Sequence, residues 1–239
     1  MSCDLVIPLG VGSKSDNDEL RILLRSAERN AIGLGRVIIP TQAPPKWLRN
    51  AIVVSCGDPL QHNKDGNLIN KVLTALVREK VTGDFILAAD DNVFCQPVNV
   101  SEIPMLYNTK GIGDFDPKGN RWRVRMLNTM EYLIGQGWPS DRNYETHTPQ
   151  VFNAQKVLTG MQGIDYVSEP GFGIYSLFRC VSGEFPNVTQ NKCKTTHENV
   201  ASADAPIDRM FAGYNDSAFL NGLRERLFEM FPDKSRFEE

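Results

Sequence analysis

Asp84-Phe-Ile-Leu-Ala-Ala-Asp-Asp-Asn-Val-Phe-Cys-Gln96 sets an unbroken apolar run directly against two adjacent carboxylates. Phe85–Ala89 has the length and composition of a fully buried central strand. That places Asp90 and Asp91 at the strand's carboxyl end, where open α/β sheets hold their ligands. Neighbouring carboxylates in a partly buried cleft raise one another's pKa unless a divalent metal or hydrogen-bond donors keep them ionised. The pair therefore predicts a Mg²⁺ or Mn²⁺ site carrying a phosphorylated substrate, or, read more plainly, a solvated strand-end turn.

Working back toward residue 1, strand and helix alternate. Leu5–Leu9 reads as a short strand, followed by the small-residue loop Gly10-Val-Gly-Ser-Lys-Ser15. Asp16 is a suitable N-cap, with Glu19 completing a capping-box pattern. Leu20, Leu23, Leu24 and Ala27 then fall on one face of an amphipathic helix. Arg36–Thr41 and Ala51–Cys56 read as strands around a Pro44-Pro45 turn, and Asn67 opens a second helix that buries Leu68, Ile69, Val72, Leu73, Leu76 and Val77. This β-α-β-β-α-β order predicts a mostly parallel, right-handed sheet flanked by helices.

Beyond residue 96 the pattern is less regular. Tyr107–Asn120 is rich in Gly and Asp and reads as a loop near the site. Trp122–Ile134 and Gln150–Met161 are predicted helices, Phe172–Val181 a strand, Phe185–Ile207 a polar loop and Ser217–Met230 an amphipathic helix.

The composition is that of an ordinary soluble domain, 41% hydrophobic and 23% charged over 239 residues, with no apolar run as long as a membrane span. No basic leader or cleavage site precedes the first strand, so a cytoplasmic protein is expected. Its five cysteines show no C-x-x-C spacing and are read as reduced thiols. A net charge of −3 offers no global attraction to nucleic acid, so any polyanion contact must be local.

Motif absences narrow the chemistry. Gly10 and Gly12 lack the third glycine of a dinucleotide fingerprint, and no Gly-Lys-Ser/Thr phosphate loop is present. His62, His147 and His197 lack zincin spacing, and no Gly-x-Ser-x-Gly elbow occurs.

Four blocks carry a family resemblance. Asn17-Asp-Glu-Leu-Arg-Ile-Leu-Leu-Arg-Ser-Ala-Glu-Arg-Asn30, with Val37-Ile-Ile39 and Pro45-Lys-Trp-Leu48, resembles the N-x-E-L-R-x-x-L-R-S-x-E block of GT-A-fold sugar-nucleotide transferases, notably the Stealth sugar-phosphate transferases. Asp90-Asp91-Asn92 resembles that group's N-D-D segment, the counterpart of the GT-A Asp-x-Asp. Glu145-Thr-His-Thr-Pro149 is similar to its H-x-P block, and Asn215-Asp216 with Leu227–Glu238 to its N-D … F-P-x-x-S-x-F-E ending. The blocks keep their order and span nearly the whole chain. One departs: where Stealth proteins open with an aromatic-rich Y-T-W-V-D-G block, this chain has Val6-Ile-Pro-Leu-Gly-Val-Gly-Ser13, closer to an ordinary GT-A nucleotide-binding strand.

The resemblance implies a single GT-A-like domain over 1–239, with a nucleotide-binding half in 1–100 and an acceptor half in 101–239. It implies a Mn²⁺- or Mg²⁺-dependent glycosyltransferase that uses a nucleotide-sugar donor and a glycan or other acceptor. A sugar-1-phosphate transferase and a catalytically silent sugar- or nucleotide-binding module are the alternatives. Asp91 and His147 are the expected metal ligands, with Asp90 contacting ribose or a metal-bound water. Gly10, Gly12, Ser13, Lys14, Arg25, Asn70 and Lys71 are expected at the donor. Each has a plainer reading: a β-α turn for the glycine loop, ion pairing for Arg21 and Arg25, a polar helix face for Asn70 and Lys71. Asp114, Asp116, Glu145 and Asp216 are candidate bases toward the acceptor. The run Arg121-Trp-Arg-Val-Arg125 suits an anionic acceptor, a nucleic acid strand or a phosphorylated glycan, and equally suits a helix start with snorkelling arginines.

Overall fold

Strand β1 (Cys3–Val6) is buried on both faces, and the alternation of side chains there and just beyond it divides the interior in two. Leu5 and Ile7 join Val37, Ile39, Ile86 and Ala88 in one cluster, while Val6 joins Ile38, Phe85 and Leu87 in the other. The computed structural model describes residues 2–108, 118, 120–138, 142–185, 188–190, 194–195 and 209–239.

After β1 come α1 (Asp18–Asn30), β2 (Ala31–Ile32), β3 (Leu34–Thr41), β4 (Ile52–Ser55), α2 (Lys64–Arg78) and β5 (Asp84–Leu87). Then follow β6 (Asn92–Phe94), β7 (Val98–Asn99), β8 (Leu106–Asn108), α3 (Arg121–Gly135), β9 (Gln150–Asn153), α4 (Ala154–Gly160) and α5 (Ile174–Ser182). The last elements are β10 (Val188–Gln190), β11 (Lys194–Thr195), β12 (Phe211–Tyr214), α6 (Asp216–Ala218) and α7 (Arg224–Met230).

The central sheet runs β4-β3-β1-β5-β9, parallel except for β9 at the edge. From β1 the chain steps outward through α1 to β3 and β4, then returns through α2 to β5 on the other side of β1. Right-handed crossovers taken in opposite directions put their helices on opposite faces. Accordingly Leu20, Leu23, Leu24 and Ala27 of α1 lie in the first cluster, and Ile69, Val72, Ala75 and Leu76 of α2 in the second. This reversal opens a crevice at the carboxyl ends of β1 and β5. The fold is thus α/β with a mostly parallel sheet flanked by helices, as expected.

Elements from both sides of residue 100 share the central sheet and its core. β9 from the second half pairs with β5 from the first, setting Phe152 opposite Phe85, and α5 packs into the second cluster beside α2. Small sheets surround the main one, the largest being β11-β12-β6. Ile22, on the other side of α1, packs with Val93, Tyr214 and Phe219 behind that sheet.

Several element predictions are corrected. Gln150–Met161 is a strand and then a helix: Gln150 and Phe152 are buried in alternation, and Asn153 ends the strand while its Oδ1 accepts from the Lys156 N–H at the start of α4. Phe172–Val181 contains α5, not a strand. Its Ile, Tyr, Phe and Val content favours β structure, but Ile174, Leu177, Phe178 and Val181 also lie on one helical face, and that face packs against the second cluster. Ser217–Met230 is broken at Asn221-Gly222, where Gly222 adopts φ 107°. Asp16 and Glu19 make no capping box. Asn17 precedes the helix in the left-handed region without capping it, and Glu19 instead accepts from the hydroxyls of Ser13 at 3.0 Å and Ser15 at 2.6 Å.

Residues 231–239 close over α1. The Glu238 side chain, fully buried, takes a two-pronged ion pair from Arg25, Nε and Nη2 each donating at 2.8 Å. Ser235 donates to Glu238 Oε1 through its backbone N–H and its hydroxyl, while Arg25 Nη1 also donates to the carbonyls of Phe231 and Pro232. Arg21 reaches Glu238 at 3.4 Å and lies over the Trp47 ring, and the Glu239 N–H donates to the Trp47 carbonyl. Burial would push the Glu238 carboxyl up, but the Arg25 and Ser235 hydrogen bonds hold it below its ordinary value.

Removing one partner of such a pair strands a buried charge. Arg25→Ala is expected to lower unfolding free energy by about 3–5 kcal/mol in urea titration. Because the Glu238 pKa is depressed, its stabilising contribution is complete above the ordinary 4.5 and is lost as pH falls through the lower folded value. The difference in urea midpoint between wild type and Glu238→Gln should therefore shrink on acidification below that point and stay constant above it.

Candidate active site

The crevice at the ends of β1 and β5 is a cleft of about 1200 Å³. Gly10, Gly12 and Ser13 enter it from the β1 loop, Asp90 and Asp91 from the end of β5, Glu145 and His147 from the segment before β9, and Asp216 from the start of α6. Eight of the twelve described residues among those predicted at the site are thus brought together from four separate stretches of chain.

Burial pushes the Asp90 carboxyl up to about 7, reinforced by the negative charges of Asp91 and then Glu19, with Lys64 opposing. Asn92 fixes this turn. Fully buried, it accepts from the Ala89 N–H through Oδ1 and donates through Nδ2 to Asp91 Oδ1 and to the His147 carbonyl, both at 3.2 Å. One amide therefore orients the Asp91 carboxylate and ties the His147 segment to the end of β5. Close approach from the other side requires a glycine: a Cβ on Gly213 of β12 would lie 2.5 Å from the His147 carbonyl oxygen.

Gly10 and Gly12 face open space, since a Cβ at either would meet nothing within 4 Å. Ser13 is turned inward, its Oγ accepting from the backbone N–H groups of Ser15 and Asn17. Glu145 is 8% exposed, and its Oε1 accepts from Ser176 through both the backbone N–H and the hydroxyl at 2.9 Å, near the start of α5. Burial, then the nearby Asp65 charge, pushes the Glu145 carboxyl up to about 7 against these hydrogen bonds.

The remaining four predicted residues lie elsewhere. Lys14 borders a shallower neighbouring depression with Asp18 and Arg224. Arg25 is engaged by Glu238. Asn70 donates to Cys56 Sγ. Lys71 is completely buried, its Nζ donating to the Leu9 carbonyl at 2.8 Å and pairing with Asp58 at 2.6 Å, so its charge supports the β1 loop from behind. Helical spacing reveals which face a cation occupies but not which carboxylate meets it there. Asp114 and Asp116 lie outside the described residues.

The cleft also contains groups that the sequence did not single out. Tyr175 and Tyr214 sit within apolar runs, yet both line it. Burial first, then the surrounding carboxylates, holds both phenols well above their ordinary pKa, so they remain O–H donors. The buried Tyr214 hydroxyl has no hydrogen-bond partner among the described residues. Lys64, Arg121 and Arg123 also line the cleft. The signal for the two arginines was the Arg121–Arg125 run, left open between anion binding and a snorkelling helix start.

Among the described residues, no three His, Cys, Asp or Glu side chains gather into a metal-ligand group. Asp90 and Asp91 nonetheless fit a hard divalent cation that takes one or two protein carboxylates and completes its shell with water and phosphate oxygens. Among the described residues, no helix is long and apolar enough to cross a membrane, and Cys3, Cys56, Cys95 and Cys180 are free thiols.

Fold and site together define an α/β protein with an acid-lined cleft at the reversal point of a mostly parallel sheet. No family profile matches the chain, and no curated protein matches it.

A raised carboxyl pKa favours the folded state in acid and loses that advantage as pH rises through the folded value. For Asp90 the window runs from its ordinary 3.8 to about 7. In metal-free buffer, Asp90→Asn should melt above wild type at pH 8, and the gap should close toward pH 4 in calorimetry. Millimolar Mn²⁺ should narrow the gap at pH 8 by stabilising only the wild-type carboxylate.

Proposed function

We propose that the protein is a metal-dependent glycosyltransferase of GT-A-like fold that takes a nucleotide-sugar donor. The observation carrying this reading is the convergence of the open Gly10–Gly12 loop with Asp90-Asp91 at the carboxyl ends of β1 and β5. Two carboxylates, one pushed up to about 7, are held there at the mouth of a cleft large enough for a nucleotide sugar. Two acids so placed are relieved when a divalent cation neutralises them.

In this reading Asp91, aligned by Asn92, ligates Mn²⁺ or Mg²⁺, and Asp90 binds the ribose or a metal-bound water. The cation, when bound, offsets the negative charge that develops on the departing nucleotide. Gly10 and Gly12 admit the donor without side-chain obstruction, and Ser13 fixes the loop that receives it. Asp216, exposed at the cleft, is the better-placed base toward an acceptor hydroxyl, because Glu145 is committed to Ser176.

A second reading, sugar-1-phosphate transfer, is favoured by the contacts of residues 231–239. Arg21, Arg25, Trp47, Ser235 and Glu238 belong to blocks that resemble the Stealth group, and these blocks, far apart in the chain, meet in one clasp.

Thermal melts with a panel of nucleotide sugars test the donor site. One nucleotide family should stabilise the wild type only with Mn²⁺ or Mg²⁺, by about 2.7 kcal/mol at a hundredfold excess over Kd, and Asp91→Asn should abolish the effect. If no nucleotide sugar shifts the wild type under any metal condition, the reading fails. Product analysis then separates the activities: glycosyl transfer releases nucleoside diphosphate, sugar-phosphate transfer releases nucleoside monophosphate, and a silent module releases neither.

A further inference from the structure

Tyr214 sits where β12 passes the turn that carries Asp90 and Asp91. The antiparallel register pairs Gly213 with Asn92, and one step further the Tyr214 N–H donates to the Asp91 carbonyl at 3.3 Å, which sets residue 214 opposite residue 91. The ring is fixed by its neighbours: it stacks on Phe219, with centroids 5.0 Å apart and planes 7° from parallel, and packs with Ile22 and Val93. A side chain so clamped, 1% exposed, keeps its hydroxyl pointed one way, and Tyr214 lines the cleft.

That hydroxyl has no hydrogen-bond partner among the described residues, although acids lie close to it. After burial, the charges that bear on the phenol are those of Asp91, Asp90, Glu19 and Asp18, in that order. Three of these carboxylates are served by other donors: Asn92 for Asp91, the Ser13 and Ser15 hydroxyls for Glu19, and Arg21 and Arg224 for Asp18. A buried donor without an acceptor weakens a fold, and nearly all such groups in native proteins are satisfied. In the lining of a cleft, a local rule broken this way marks a group reserved for the ligand.

The surroundings also define the ligand's chemistry. The phenol keeps its proton, so it requires an oxygen that has none. Four acids bear on it, so that oxygen must arrive together with positive charge. A phosphate oxygen chelated to a divalent cation meets both conditions. A lysine here would compete with the cation for the carboxylates, whereas a phenol adds a hydrogen bond and no charge.

We infer that Tyr214 is a ligand contact of the cleft, its hydroxyl donating to a phosphate oxygen of a ligand whose divalent cation is held by Asp91. This rests on the transferase reading for the cation, and adds to that reading a neutral donor for the diphosphate of the nucleotide sugar. The hydroxyl strengthens binding of the phosphorylated ligand and leaves binding of the bare cation unchanged.

Tyr214→Phe removes the hydroxyl alone. The variant and wild type are compared by melting without ligand and by calorimetric titration with Mg²⁺ and with the Mg²⁺–pyrophosphate complex. The variant should melt above wild type, because it loses a buried donor that has no partner, and should bind Mg²⁺ as wild type does. Its affinity for Mg²⁺–pyrophosphate should fall about tenfold, the loss expected for a hydrogen bond to a charged acceptor. A merely structural hydroxyl would give the opposite pattern, a lower melting temperature with unchanged binding. Any of four results would overturn the inference: a variant that melts below wild type, equal affinity of the two proteins for Mg²⁺–pyrophosphate, no binding of that complex by wild type, or a parallel loss of affinity for Mg²⁺ alone, which would mean that the hydroxyl acts through Asp91. If nucleotide sugars fail with every metal while Mg²⁺–pyrophosphate behaves as expected, the Tyr214 contact stands and the transferase reading falls. If nucleotide sugars bind with metal equally well to wild type and Tyr214→Phe, the contact falls and the transferase reading stands.

Discussion

A strand covered on both faces can carry charge only at its ends, and β1 and β5 are covered on both faces. Leu5 and Ile7 serve one core and Val6 the other, with Phe85, Ile86 and Leu87 matching them across the register. Their charged groups therefore fall near the ends: Asp4 and Asp84 at the amino ends, and the polar groups beyond Leu9 and Ala88 at the carboxyl ends. Because the chain reverses direction at β1, the two emergent loops are not roofed by a crossover helix. The location of the cleft follows from where hydrophobic burial stops.

Both signs of charge line the cleft. Asp90, Asp91 and Glu19 bear on one another there, and Lys64 of α2 with Arg121 and Arg123 of α3 line the same cleft. Three of its carboxylates have partners of their own: Asp65 meets Arg125, Asp58 meets Lys71, and Glu145 accepts from Ser176.

What the sequence revealed and what it hid have separate physical causes. Apolar periodicity is local, so β1, α1, α2 and the carboxylates ending β5 could be read from short windows. Strand against helix in Phe172–Val181 could not, because a buried helix and a buried strand share the same residues, and only the packing of α5 beside α2 decides between them. Ionic partners are non-local. Arg25 and Lys71 carry the charge and helical placement of phosphate ligands, yet a carboxylate 213 residues away claims the first, and Asp58 with the Leu9 carbonyl claims the second. Tyr214 was hidden by the opposite ambiguity, an aromatic in an apolar strand whose hydroxyl happens to face the cleft side.

The contact between Arg25 and Glu238 also bears on how the protein is made. A ribosome adding 5–20 residues per second needs roughly 10–40 s to pass from one to the other. Throughout that interval α1 can form, but Arg21 and Arg25 have no Glu238 to meet, and Trp47 and Leu48 lack the cover of Phe237. The nascent chain therefore leaves this face of α1 without its buried carboxylate and partly unpacked until residues 231–239 have emerged. Closure of the clasp waits on residues 231–239, and a chain cut short before them would expose the apolar surface that chaperones and proteases recognise.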